Sequence, residues 1–386
     1  MVPNMKLLPL ILRNVFRNKR RTILTILSIG VSLFLISTLR TMLASLESPP
    51  VTPESAKRVV TRHQTSLGNP LPIAYRNRIQ TIPGVEQAIA TQWFGGMYKD
   101  PANFFAQFAV DTDHFFDVYS EAKIQSPEQA EAFMKERTAS VVGVKLAKRF
   151  GWNVGDRVTL EGMIFPFNVE TTIRGMVDGG GSEVTFYFHY DYFNELMNNA
   201  GIASTFAVKA KSADDLPAIS AAIDDMFRNS TAPTKTETES AFILGFAAMW
   251  GDVRTLVVSI STIVLFTIVL VAANTMAMSI RERTGEIAIL KTLGFSPGTV
   301  LGMVILESLV IAVAGGLGGS LGARVIFGAV DMQMLSGGFL QNFTIAWSTV
   351  LLSLGIALIV AVTSTAVPAW SASRLPIAEA VRRRGE

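Results

Sequence analysis

Four long apolar runs constrain this chain more than any other feature: residues 22–44, 253–280, 299–326 and 345–367 each reach the roughly 20 residues an α-helix needs to cross a bilayer's hydrocarbon core. Unpaired backbone groups are not tolerated in lipid, so runs of this length fold as helices that satisfy their own hydrogen bonds. The chain is 49% apolar and 17% charged, against about 25% charge in an average soluble domain. An ordinary cytosolic enzyme is therefore disfavoured, and the chain reads as an integral membrane protein.

The flanking charges set the orientation. Lys6, Arg13, Arg17, Lys19, Arg20 and Arg21 precede the first run, Arg281, Arg283 and Lys291 lie between the second and third, and Arg374, Arg382, Arg383 and Arg384 follow the fourth. The segment 327–344 has neither Lys nor Arg. Positive flanks stay cytoplasmic, which gives four spans with both termini inside and residues 45–250 outside. That outer segment holds 18 Lys+Arg and 24 Asp+Glu, a net of −6, within a chain of net charge +3. The basicity thus belongs to the membrane flanks, and no nucleic-acid partner is implied. A basic segment before an apolar run also marks secretory signals, but this run is longer than their cores and reads as a retained signal-anchor. Residues 1–21 place Leu8, Ile11, Leu12, Val15 and Phe16 at helical spacing with Arg13 and Arg17 on other faces, the pattern of a basic helix lying in the interface.

The extracytoplasmic domain, 45–250, alternates short strands and helices. Strands are predicted at 57–64, 85–93, 104–110 and 205–211, and helices at 71–82 and 214–228. This is an α+β pattern of the ferredoxin type, a porter-like lobe, with a second lobe inserted at about 125–200. The insertion opens with Ser126 as N-cap and Pro127 at the first helical position, carries a second helix from Gly143 to Phe150, and continues in short strands to Tyr190. Asp178-Gly179-Gly180-Gly181 lacks the Lys-Ser/Thr of a phosphate loop and reads as a turn between strands.

No catalytic constellation emerges. The chain has no Cys, which excludes disulfides, thiolate metal sites and thiol nucleophiles, and its three histidines, His63, His114 and His189, are far apart. Asp111-Thr112-Asp113-His114 reads as a turn-capping loop before it reads as a metal site. The expectation is a non-catalytic protein with no cofactor or metal of its own. No Gly-x-x-x-x-Gly-Lys-Ser/Thr run occurs, so any ATP is bound by a partner subunit.

The cytoplasmic segment 281–298 mixes charges with Ile287, Leu290 and Leu293 at helical spacing and stops at Gly294. A short amphipathic helix there is what a soluble motor could grip. Its residues Glu282-Arg283-Thr284-Gly285-Glu286-Ile287-Ala288-Ile289-Leu290-Lys291-Thr292-Leu293-Gly294 resemble the E-R-x-x-E-I-x-x-L-[RK]-x-[LI]-G signature of FtsX/MacB-type ABC transporter permeases, the family of macrolide exporters and lipoprotein-releasing complexes. Leu306-Glu307-Ser308, the run Ala314 to Gly319, the stretch Leu146 to Leu160 and the end Pro368 to Arg382 fit the same family, although Leu375-Pro376 replaces the usual Asp-Pro.

The resemblance implies a separately encoded ABC ATPase, a homodimer or a heterodimer with a related permease, and a membrane-fusion adaptor as a further candidate partner. It assigns ATPase coupling to Glu282, Arg283, Glu286, Leu290, Lys291 and Gly294. Glu307 is the one acid in mid-span. Arg40, Asp252, Arg254 and Arg324 lie near outer ends, so Glu307 is expected without an ionisable neighbour, in a structural hydrogen bond to another span. Gly315-x-x-x-Gly319 and Gly318-x-x-x-Gly322 follow the small-x-x-x-small spacing that lets helices pack closely. The expected function is that of a mechanotransmitting permease subunit in the cytoplasmic membrane that exports or extracts a lipoprotein, lipid, peptide or drug. The alternative is an FtsX-like regulator that activates an extracytoplasmic cell-wall hydrolase. A membrane-anchored enzyme would need a catalytic cluster that the sequence does not offer.

Overall fold

The computed structural model describes residues 13–47, 52–101, 103–248, 251–337, 340 and 343–374. Lys6, Leu8, Ile11 and Leu12 of the expected interfacial helix and the tail from Leu375 lie outside these residues. The chain divides into two compact units, one of Met1–Ala44, Asp252–Val330 and Phe343–Glu386, the other of Ser45–Gly251 and Asp331–Asn342.

Among the described residues, the first unit is built on four helices long and apolar enough to cross a membrane. The first span is Lys19–Glu47, the second Val253–Glu282, the third Pro297–Ala329 and the fourth Trp347–Arg374. Their starts follow local chemistry. Asp252 caps the second span by accepting from Thr255 N at 2.9 Å, and Ser296 caps the third by accepting from Thr299 N at 3.2 Å, with Pro297 next. A shared core joins Ile29, Leu33 and Ile36 of the first span with Ile268 and Ala272, Ile311 and Ala312, and Ala357, Val360 and Ala361. Inside it, the Ser37 and Ser353 hydroxyls meet at 2.8 Å, which pairs polar groups that would otherwise face hydrocarbon. The third span is half buried along its most apolar stretch and the second only 17%, so the second span turns most of its surface outward.

The other unit carries one sheet of ten strands: β1 Arg58–His63, β3 Val85–Trp93, β4 Ala106–Val110, β5 Lys123–Ile124, β6 Ala139–Gly143, β7 Arg157–Leu160, β8 Val169–Asp178, β9 Thr185–His189, β11 Thr205–Ala210 and β12 Thr234–Thr238. A separate small pair joins β2 Leu71–Pro72 to β10 Ile202–Ala203. The order is β12-β1-β11-β3-β4-β9-β6-β8-β5, with β7 on β8. Helices α1 Ala74–Gln80, α2 Phe115–Val118, α3 Pro127–Lys135, α4 Val144–Phe150, α5 Tyr190–Leu196, α6 Leu216–Phe227 and α7 Glu239–Ala248 connect or flank the strands, and α8 Met332–Leu335 comes from the loop between spans three and four.

The first four strands in that order form the expected ferredoxin core. β1 and β3 enclose the antiparallel β11, β12 pairs antiparallel with β1, and α1 and α6 supply the two crossovers. Alternation along each strand gives both faces a core. Ala88, Ala90, Phe206 and Val208 pack with Ile79, Ile219, Ile223 and Phe227 on one side, while Ile89 and Ala207 pack with Phe115, Phe133 and Val141 on the other.

The inserted lobe begins directly after β3, well before the expected residue 125, and its strands continue the ferredoxin sheet. β4 supplies the join: it is antiparallel to β3 and parallel to β9, with both edges taken. Strands β5, β6 and β12 of this sheet, and the small pair β2 and β10, are additional to those predicted. The predicted N-cap is in place, Ser126 Oγ accepting from Gln129 N at 3.3 Å, and Gly151 ends α4 at φ +69°.

Candidate functional site

The site is assembled where the second span ends. Arg283 closes that helix, the short helix Thr284–Thr292 follows, to which the sequence reading assigns coupling, and Gly294 at φ +91° turns the chain toward Ser296 and the third span. One face of the coupling helix is anchored: Ile287 and Ala288 are buried, and Ile287 joins Ile280, Val300 and Ala369 in an apolar cluster. Leu290 lines a small cavity with Arg283, Glu286 and Glu307. The opposite face leaves Ile289 46% and Leu293 70% exposed. Leu293 therefore leaves the expected stripe: six residues on from Ile287, it lies about 120° away around the helix.

The acidic residues are held by arginines from the N-terminal segment. Arg17 pairs with Glu286. Arg21 pairs with Glu282 at 2.6 Å and donates to Ser279 Oγ at 2.9 Å. These partners lie more than 250 residues away in sequence, so the arginines that orient the first span also fasten the coupling helix. Water screens the exposed Arg17–Glu286 pair, so it positions the helix more than it stabilises the fold.

Arg283 turns inward, away from the surface where a partner would sit. Its Nη1 meets Glu307 Oε2 at 2.6 Å and its Nη2 donates to Asn14 O at 2.9 Å, with the two side chains only 13% and 7% exposed. This corrects the expectation that Glu307 has no ionisable neighbour. The mid-span acid is paired, and its partner comes from the very motif that marks the coupling segment. Lys291 is half-buried on the same helix.

The glycines divide. A Cβ on Gly315 would come within 2.7 Å of Ile29 Cγ2, and one on Gly319 would collide with the Gly30 carbonyl, so the first and third spans touch backbone to backbone there. A Cβ on Gly318 or Gly322 would meet nothing within 4 Å among the described residues. Among the described residues Gly318 and Gly322 thus pack against no other helix, a correction to the expected second small-x-x-x-small pair.

In the extracytoplasmic unit, a buried charge cluster was not expected. Arg58, 2% exposed on β1, pairs with Glu121 and with Glu239 at 2.8 Å, donates to Val118 O at 3.0 Å and lies 4.4 Å over the Tyr119 ring. Burial works against its charge, but the Glu121 hydrogen bond and the Glu239 charge more than offset it and raise the guanidinium above its ordinary value. Glu239 is raised by burial, in part opposed by Arg58. Arg58 heads the apolar run Val59-Val60 in a central strand, and that out-of-place charge was the available sequence signal. The Asp111–His114 loop is occupied by other work: Asp111 pairs with Arg76, Thr112 Oγ1 lies 3.3 Å from His189 Nδ1, and His114 lies 3.2 Å from Asp117.

Comparison with known proteins places these features in a family. Residues 258–377 match the model of the FtsX-like permease C-terminal region, and residues 22–226 match the MacB-like periplasmic core domain. The chain is 23% identical over 313 residues to the uncharacterized ABC transporter permease MJ1507 of Methanocaldococcus jannaschii, covering 79% of this chain and 77% of that one. It is 31% identical to the ABC transporter permease YtrF of Bacillus subtilis over 42% of this chain and 38% of the relative. Among solved structures, the extracellular domain of the transporter YknZ from Gram-positive bacteria aligns with 47% of this chain and 99% of that domain at 15% identity and a TM-score of 0.36. The periplasmic region of MacB from Actinobacillus actinomycetemcomitans aligns with 49% of this chain and 92% of that region at 12% identity and a TM-score of 0.37. With four apolar spans, an extracytoplasmic α/β unit and both family models matched in order along it, the chain belongs to the MacB/FtsX-like ABC transporter permeases, membrane proteins that work with an ATPase partner.

Proposed function

We propose that this chain is the non-catalytic membrane subunit of a mechanotransmitting ABC transporter. Two copies would bind two ATPase subunits at the cytoplasmic face, with ATP held by the ATPases, and ATP-driven closure would move the extracytoplasmic unit, which handles a lipoprotein, lipid, peptide or drug. The observation that carries this reading is the coupling helix. It is fixed from behind by Ile287, Ala288 and the Arg17 and Arg21 pairs, yet presents Ile289 and Leu293 outward. Apolar side chains on a rigid, charged-rimmed helix suit a protein contact, since the core of such a contact is apolar and its rim polar. The outward-facing second span supports pairing with another copy, for which Val258, Ile263 and Phe266 offer apolar surface. An adaptor outside the membrane fits the same scheme.

The test is recovery of the ATPase with the full chain from detergent-solubilised membranes, followed by substrate-stimulated hydrolysis in nanodiscs. Leu293→Asp changes an exposed side chain, so its effect on the stability of this chain is within about 0.5 kcal/mol. It should nevertheless lower ATPase recovery by about tenfold, the loss that a charge in a desolvated apolar contact brings. Undiminished ATPase recovery with normal stimulation would overturn the assignment of this helix. Recovery of a hydrolase with no export would favour the regulator instead.

A further inference from the structure

The loop between spans three and four is grouped with the extracytoplasmic unit, although it is flanked on both sides by membrane helices. Side-chain chemistry explains the attachment. Lys145, at the start of α4, places its Nζ 3.2 Å from Asp331 Oδ2 and 2.7 Å from Gln333 Oε1. Gln333 Nε2 donates to Glu183 Oε2 at 3.1 Å, and the other oxygen of Glu183 accepts from Gly179 N at 3.1 Å. Gly337, at φ +63°, lies against Phe104, where a Cβ would come within 2.9 Å of the ring.

Both gripping residues are rigidly based. Lys145 lies two residues after the end of β6, while Glu183 sits in the short 3-10 turn Ser182–Val184 after Gly179, Gly180 and Gly181, all at positive φ. That turn lies so close to Gly143 that a Cβ there would overlap the Ser182 and Glu183 backbone. The glycine tract resembling a phosphate loop therefore has a different job: it folds the chain back so that Glu183 and Lys145 flank Gly143 and face α8. On its own side, Asp331 caps α8 by accepting from Met334 N at 3.1 Å; burial pushes its carboxyl up, but this bond and Lys145 together outweigh burial and hold it below the usual carboxylate range.

We propose that Lys145, Glu183, Asp331 and Gln333 form a clasp through which spans three and four act on the extracytoplasmic unit, a transmission point additional to the two chain connections that enter the unit from spans one and two. The inference rests on the transporter reading above. Its members are positioning residues: none is placed at the ATPase contact. Lys145 and Asp331 are 36% and 40% exposed, so the pair is weak enough to open and close within a transport cycle.

The absence of Cys allows a direct test. Spin labels at Lys148→Cys on α4 and Leu335→Cys on α8, both exposed positions, report the separation across the clasp in the full chain bound to its copurified ATPase in nanodiscs. The wild-type background should give one narrow distance distribution. Lys145→Glu should broaden it and raise the population of longer distances about fivefold, the factor lost with one exposed ion pair, and should reduce substrate-stimulated hydrolysis while leaving ATPase recovery and basal hydrolysis unchanged. Lys145→Glu with Asp331→Lys restores the opposite charges and should restore both readouts. If Lys145→Glu keeps the narrow distribution, or broadens it without loss of stimulation, the clasp is not a transmission point. If the double variant stays uncoupled, the effect does not run through this pair and the proposal falls. A wild-type complex whose hydrolysis ignores substrate defeats the transporter reading itself; a responsive wild type matched by Lys145→Glu defeats only the clasp.

Discussion

At the scale of single residues, the pair Arg283–Glu307 carries the most weight. Removing one partner of a buried ion pair costs about 3–5 kcal/mol, because the other charge is left uncompensated, whereas replacing both with apolar groups of similar volume is often neutral. Glu307→Ala should therefore lower the thermal midpoint of the detergent-solubilised chain markedly, and Arg283→Met with Glu307→Leu should recover most of the loss. A double variant as unstable as the single one would mean that the Arg283 bond to Asn14 O, rather than the ion pair, anchors the motif. The sequence showed an acid in an apolar span and an arginine in a surface motif, but not that they meet. Their 24-residue separation crosses a helix end, a helix and a turn, and no local periodicity spans such a path. Arg17 and Arg21 were legible only as orientation signals for the same reason. Glu282 and Glu286 could be singled out in the sequence because their motif is contiguous.

Elements were more legible than contacts. The spans were set by length and hydropathy, which act locally, and the ferredoxin core by apolar alternation between clear stops such as Pro83-Gly84. β12, Thr-Lys-Thr-Glu-Thr, is polar throughout, and it becomes a strand because β1 offers it an edge and Asp224 accepts from Thr236 N at 3.0 Å. The boundary of the insertion was hidden because β4 serves both halves of the sheet. Helix packing separates two glycines that the spacing rule treats alike. Gly319→Leu should disrupt the contact of the first and third spans and lower the thermal midpoint strongly, whereas Gly322→Leu should change the midpoint of a single chain little, since overpacking costs about 1–3 kcal/mol or more only where there is a neighbour to displace. If Gly322→Leu instead breaks up an assembly of copies with the fold intact, as size-exclusion chromatography with light scattering would show, that face belongs to an interface between chains.

For the whole molecule, orientation is the first thing to establish. Single cysteines at Ser120 and Leu335, both exposed, should react with an impermeant maleimide in intact cells, and one at the exposed Ser296 only after permeabilisation. Reaction of Ser296→Cys in intact cells would invert the topology, and with it the side on which an ATPase could bind.

The continuous sheet has a consequence for how force would be converted into motion. Chain connections to the first two spans enter at neighbouring strands, β1 and β12, whereas Lys145 follows β6, five places along from β1 in the strand order. At about 4.8 Å per strand the two attachments are roughly 24 Å apart. Two grips on one stiff plate form a couple: a relative displacement of about 2 Å between them turns the plate by about 5°, and the turn moves points beyond β6 farther than either grip moves. Two lobes joined by a hinge would absorb such a displacement in the hinge. A single sheet passes it on as rotation, so the gearing of this permease would be set by which strand the clasp is attached to.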